Sequence, residues 1–161
     1  MIAVTFHLEE WLNKTGNLEP STSMRRWVGD SKILGADTLI LIDKTTFKVL
    51  QYYTHNDPDI TYLSYDDFTK VEEAFPKASI VYLEDKYFLD ENNIEGTNLL
   101  DFKHPSGDVI YVVGPNYGSL EVLEARKDKI WVYVPTNPRY ALFADITMFI
   151  VLYDRLSKAV E

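Results

Sequence analysis

Strands alternating with helices along the whole of a 161-residue chain predict an α/β fold: a mostly parallel sheet with helices on both faces. Three observations carry that expectation. Val109 to Val113 reads as a buried strand running into the glycine- and proline-bearing turn Gly114-Pro115-Asn116-Tyr117-Gly118-Ser119-Leu120. Ile130 to Thr136 reads as a second, ending at Pro135. Ala141 to Leu156 then reads as a closing amphipathic helix. In layers of this kind ligands sit beyond the carboxyl ends of the strands, so the turns after these two strands are where a site is expected.

The remaining elements follow in order. Ile2 to Phe6 is apolar and β-rich enough for a first strand, and Leu8 to Asn13 suits a short helix before the turn Lys14-Thr15-Gly16-Asn17. Pro20-Ser21-Thr22 starts a helix with Met24, Trp27, Val28, Ile33 and Leu34 as its apolar face and Gly35 as its stop, with Gly29 weakening the middle. Thr38 to Ile42 and Phe47 to Tyr53 read as strands, and Asn56-Asp57-Pro58-Asp59 as a loop. Ser64-Tyr65-Asp66-Asp67 opens a helix through Ala74, its two aspartates facing the positive helix N-terminus. Ile80 to Leu83 is a short buried strand. Glu84 to Asn98 reads as polar and irregular, and Leu99 to Phe102 as an apolar anchor before the turn His104-Pro105-Ser106-Gly107-Asp108. In the last helix Ile146, Phe149, Ile150, Tyr153 and Leu156 fall at helical spacing and are expected to pack on the sheet.

The length fits one domain, 1–161, burying on the order of two-thirds of its unfolded surface around one core. With no cysteine, disulfides, thiolate metal sites and a cysteine nucleophile are excluded. No apolar run approaches the roughly 20 residues of a membrane span, and Met1 to Glu10 lacks the pattern of a signal peptide, so a cytoplasmic protein is expected. The net charge of −9 argues against general nucleic-acid binding, which rests on Lys and Arg displacing counterions. Any RNA site must be local; the basic clusters are Arg25-Arg26 and Arg126-Lys127-Asp128-Lys129. His7, His55 and His104 are too scattered for a metal site, and His104 is the one best placed to face a pocket. No phosphate-binding P-loop or Gly-x-Ser-x-Gly elbow is present.

Three stretches together resemble the SPOUT methyltransferases, in particular the small SpoU-type RNA ribose 2'-O-methyltransferases. Thr15-Gly16-Asn17, then Arg25 or Arg26, then Gly35-Ala36-Asp37 is similar to the first motif, with the arginine later than the family places it. Gly114-Pro115-Asn116 with Gly118-Ser119-Leu120 is similar to the second, with Asn116 replacing an acidic residue. Val134-Pro135, Ala141-Leu142-Phe143 and Tyr153-Asp154 follow the spacing of the third, whose triplet is Ser-x-Asn and whose helix pair is Tyr-Glu.

The resemblance implies a C-terminal deep trefoil knot, a homodimer, and S-adenosylmethionine as cofactor. The site it implies is lined by Leu83, Gly114, Asn116, Val134, Pro135, Ala141 and Leu142, with Arg25 or Arg26 as the catalytic arginine. It implies RNA, by expectation tRNA ribose, as substrate, and no metal. Ala141 and Phe143 remove two side-chain hydrogen-bonding groups that the family's triplet supplies. Two other readings therefore stay open: a SPOUT-like domain that binds cofactor or RNA without methyl transfer, and an unrelated α/β fold with an ordinary nucleotide pocket. Arg25 and Arg26 read equally well as exposed helix arginines in weak ion pairs.

Overall fold

The computed structural model describes residues 1–7, 20–42, 59–114, 129–137 and 142–159. Among the described residues seven strands form one sheet: β1 (Ile2–His7), β2 (Thr38–Ile42), β3 (Thr61–Tyr65), β4 (Ser79–Leu83), β5 (Thr97–Asn98), β6 (Val109–Val113) and β7 (Ile130–Tyr133). Their order is β3-β2-β1-β6-β4-β7-β5, and every pairing is parallel. The chain steps outward from β1 to β3, re-enters on the other side at β4, and later places β6 between β1 and β4 and β7 between β4 and β5. The described helices are α1 (Pro20–Ile33), α2 (Phe68–Ala74), α3 (Lys86–Glu91) and α4 (Ala144–Ala159).

Parallel central strands are covered on both sides, so they must be apolar at successive positions and not only at alternate ones. Thr38-Leu39-Ile40-Leu41-Ile42 and Val109-Ile110-Tyr111-Val112-Val113 are buried at all five positions. Because side chains alternate along a strand, each sends its residues into two separate cores. Phe6, Leu39, Leu41, Val81, Leu83, Tyr111 and Val113 meet Trp27 of α1 and Met148, Val151 and Leu152 of α4. Ile40, Tyr82, Ile110, Val112 and Trp131 meet Phe68 and Val71 of α2 and Leu89 of α3. Helices on both faces of the sheet are thus as the sequence predicts.

Local signals explain the element ends. Gly35 stops α1 with φ +92°, while Gly35 N donates to the Lys32 carbonyl and Ala36 N to that of Ser31, each at 2.9 Å. That left-handed closing residue is one a side chain would strain, which is why glycine stands there. Asp67 and Asp85 cap α2 and α3 by accepting from the backbone N–H groups of Lys70 and Phe88.

Several expectations are corrected. Ser64-Tyr65 ends the edge strand β3 and does not open a helix; α2 begins at Phe68, after its Asp67 cap. The supposedly irregular stretch after Leu83 contains α3 and the short edge strand β5. Ile33 is exposed on α1. On α4 the stripe Ile146, Ile150, Tyr153 and Leu156 faces outward, and the residues packed on the sheet are Met148, Val151 and Leu152. The expected Leu8–Asn13 helix, the Phe47–Tyr53 strand and the Thr15-Gly16-Asn17 turn lie outside the described residues.

Candidate functional site

Register brings the predicted rim together. Leu83, last in β4, pairs with Val113 on one side and Val132 on the other, so Leu83, Gly114 and Val134 close three neighbouring strands at their carboxyl ends. Leu83 is buried, Val134 packs against the same core, and Gly114 is half-buried at the turn. Pro135 and Leu142 are more exposed, on the segment that leads from β7 into α4. Asn116 and Ala141 lie outside the described residues. Apolar walls beside a glycine at a strand end suit a flat, mostly apolar ligand held by few polar anchors.

Arg25 and Arg26 lie in the first half of α1, directly before Trp27. The Trp27 ring stacks on Phe6 with centroids 5.5 Å apart and meets Phe149 of α4 edge-on at 5.6 Å. Since Phe6 is near the carboxyl end of β1, these contacts place the backbone of the two arginine positions on the face that carries Leu83 and Val134. Phe143 is exposed just before α4.

Two features beside this rim are added by the structure. Glu84 directly follows β4, and its N–H continues the sheet ladder to the Val132 carbonyl at 3.2 Å. Its Oε1 accepts from Asp85 N at 3.0 Å. Burial pushes the Glu84 carboxyl up to about 7, the Asp85 N–H draws it partly back, and the negative charge of Asp85 adds to the rise. Beside it, a cavity of about 350 Å³ opens between α3 and the end of β7, lined among others by Asp85, Lys86, Tyr87, Asn98, Tyr133 and Pro135. The Lys86 ammonium stands 5.4 Å from the centroid of the Tyr133 ring and pairs with Asp90 at 2.8 Å.

His104 does not face this rim. Its ring is buried beneath α4, with Nδ1 2.6 Å from the Tyr111 hydroxyl and Nε2 2.9 Å from Asp154 Oδ2. Lys158 reaches the same Asp154 carboxylate at 2.8 Å and also donates to the Leu99 and Phe102 carbonyls, while Arg155 donates to the Pro105 carbonyl. The network ties the second half of α4 to the turn before β6, at the amino end of the sheet, and reads as structural. Burial lowers the His104 pKa, against the pull of Asp154. Among the described residues no group of three or more His, Cys, Asp or Glu could hold a metal, and no helix is long and apolar enough to cross a membrane.

Neither a family model nor a curated protein matches the sequence. Solved structures do. A candidate RNA methyltransferase from Bacillus anthracis superposes with a TM-score of 0.62 at 16% identity, over 98% of this chain and 95% of its own. The chain has the fold of the SpoU-type RNA methyltransferases. The SpoU methyltransferase AviRb of Streptomyces viridochromogenes matches with a TM-score of 0.66 at 14% identity, covering 99% of this chain and 60% of that one. The same enzyme has been solved in complex with its cofactor AdoMet. A protein described through the 2-OH methylation of C/U34 on tRNA matches with a TM-score of 0.63 at 15% identity, covering 99% of this chain and 96% of its own. Against several other neighbours, this chain spans only 56% to 63% of the neighbour's length.

Proposed function

We propose that this chain is an S-adenosylmethionine-dependent RNA methyltransferase of SPOUT type, one domain spanning 1–161, acting on the ribose 2'-hydroxyl of a tRNA in the cytoplasm. The observation that carries this reading is the rim itself. Leu83, Gly114 and Val134 close adjacent strands at the carboxyl edge of a sheet whose fold is shared, end to end, with a protein of tRNA 2-OH methylation. The trefoil knot belongs to this reading through the likeness of fold to the RNA methyltransferase structures. The outward apolar stripe on α4 supports a homodimer, since contiguous exposed apolar surface marks an association face.

In this reading Leu83, Val134, Pro135 and Leu142 wall the adenosyl group, and backbone groups at Gly114, Asn116 and Ala141 hold its polar edge. The bound cofactor supplies an electrophilic methyl group. The protein's part is to align the acceptor hydroxyl with that methyl and to manage the proton the hydroxyl loses. Arg25 or Arg26, on the same face of the sheet, orients a phosphate and favours the ionised hydroxyl. The exposed Phe143, in place of a polar residue, favours the second reading: a domain that keeps cofactor or RNA binding without methyl transfer.

Titration calorimetry with S-adenosylmethionine and S-adenosylhomocysteine, combined with methyl transfer to bulk tRNA, separates the readings. The enzyme binds both ligands in the micromolar range, and the Arg25→Ala, Arg26→Ala double variant loses turnover while keeping cofactor affinity. Binding without turnover leaves the non-catalytic domain, and no binding of either ligand overturns both.

A further inference from the structure

The cavity between α3 and β7 is a different place from the cofactor rim. Leu83 and Val134 belong to the core under α1 and α4, whereas Tyr133 and Leu89 belong to the core under α2 and α3, on the other face of the sheet. Of the described residues expected to hold the cofactor, Leu83, Gly114, Val134, Pro135 and Leu142, the cavity's lining includes Pro135 alone, so the strand end at 134–137 stands between the two sites.

We propose that this cavity holds one unstacked nucleobase of the RNA strand. The proposal rests on the methyltransferase reading for its ligand source, though not for its geometry. The cavity volume of about 350 Å³ lies at the small end of the roughly 300–1,000 Å³ found for ligand pockets, which suits a single base and not a run of nucleotides. Two tyrosine rings line it. Tyr133 is half-buried, and Tyr87 is exposed, with its hydroxyl held by Glu91. Such rings are stacking platforms for bases splayed out of a strand. Polar groups stand around them: the Asp85 carboxylate, the Asn98 amide and, over the Tyr133 face, the Lys86 ammonium.

The chemistry also answers the charge problem of an acidic protein that must hold RNA. A base enters as a neutral aromatic and brings stacking energy without requiring a basic surface along the backbone. Lys86, exposed at the same place and paired with Asp90, supplies a cation beside the base for a neighbouring phosphate.

The shared chemistry, a nucleobase, has two sources: RNA, or the adenine of the cofactor. The test titrates the full chain with the four nucleoside 5'-monophosphates and, separately, with S-adenosylmethionine, following tyrosine fluorescence and heat. Tyr87→Ala is the first variant, because its ring is exposed and the core does not depend on it. Asp85→Asn is the second, because asparagine still caps α3. The expected result is saturable nucleotide binding that Tyr87→Ala weakens about fivefold or more, as loss of one base–aromatic stack requires, with S-adenosylmethionine affinity unchanged in both variants. Asp85→Asn changes the preference among the four bases. Nucleotide binding unaffected by Tyr87→Ala overturns the proposal. So does competition between nucleotide and S-adenosylmethionine with both weakened by the variant, which assigns the cavity to the cofactor. Nucleotide binding lost in Tyr87→Ala, in a protein that never binds S-adenosylmethionine, keeps the cavity and sinks the methyltransferase reading instead.

Discussion

Replacing Glu84 by glutamine changes the pH dependence of stability in a direction and by an amount the structure sets. The carboxyl follows the last residue of a central strand, half-buried, with one oxygen accepting from Asp85 N at 3.0 Å. Burial raises its pKa from 4.5 to about 7, so the folded protein binds that proton more tightly than the unfolded chain does. A group raised in this way gives its full contribution below the unfolded value of 4.5 and loses it as the pH climbs through about 7. At 1.36 kcal/mol per pH unit, the interval between those two values sets a ceiling of about 3 kcal/mol. Glutamine has the shape of the protonated acid and keeps an oxygen for Asp85 N, yet never ionises. The variant therefore matches the parent near pH 4 and exceeds its stability at pH 8 by up to about 3 kcal/mol. Urea unfolding of both proteins between pH 4 and 9 measures this, with the difference between the two curves cancelling every other titrating group. A difference that stays flat across the range, or a variant less stable at pH 8, would refute the assignment of a buried, reluctantly ionised carboxyl at this site.

His104 titrates in the opposite sense. Its folded pKa is depressed below 6.5, so its contribution is present above that value and is lost as the pH falls; His104→Ala flattens this acid limb in urea unfolding between pH 5 and 8 and costs about 2–4 kcal/mol at pH 8, by leaving Tyr111 and Asp154 without their ring partner. On α4, Ile150→Glu or Tyr153→Glu introduces a charge into the exposed apolar stripe. Light scattering should then show a dimer becoming a monomer, with folding stability within about 0.5 kcal/mol of the parent because neither side chain supports the core; an unchanged mass counts against that face.

Which elements were legible follows from how each is buried. The β2 run Thr38–Ile42 and the β6 run Val109–Val113 sit in the middle of a parallel sheet, where burial on both sides forces continuous apolar sequence. β3 lies at the sheet edge, and its Thr61-Tyr62-Leu63-Ser64-Tyr65 has no fully buried position, so its signal merged with the helix start behind it. The helix α3 is six residues long, too short for a helical period to stand out, and its one buried side chain is Leu89. Its Asp85 cap was nonetheless present in the sequence as a signal.

The sequence by itself determined the alternation of strands and helices, the buried strands β6 and β7 and the acidic balance. These are local properties, written in propensity, apolar runs and turn chemistry. Only the tertiary structure decided which side of α4 packs. The helix carries apolar residues around much of its circumference, from Ile146 through Leu152 to Leu156, and period alone cannot choose between two apolar stripes. The packed side is that of Met148, Val151 and Leu152, and His104, Asp154 and Lys158 hold the second half of the same helix. That network and the cavity beside Tyr133 join residues far apart in the chain, up to 59 positions in the case of Lys158 and Leu99. Such contacts follow from the spatial order of the parallel strands, and no window of sequence contains them.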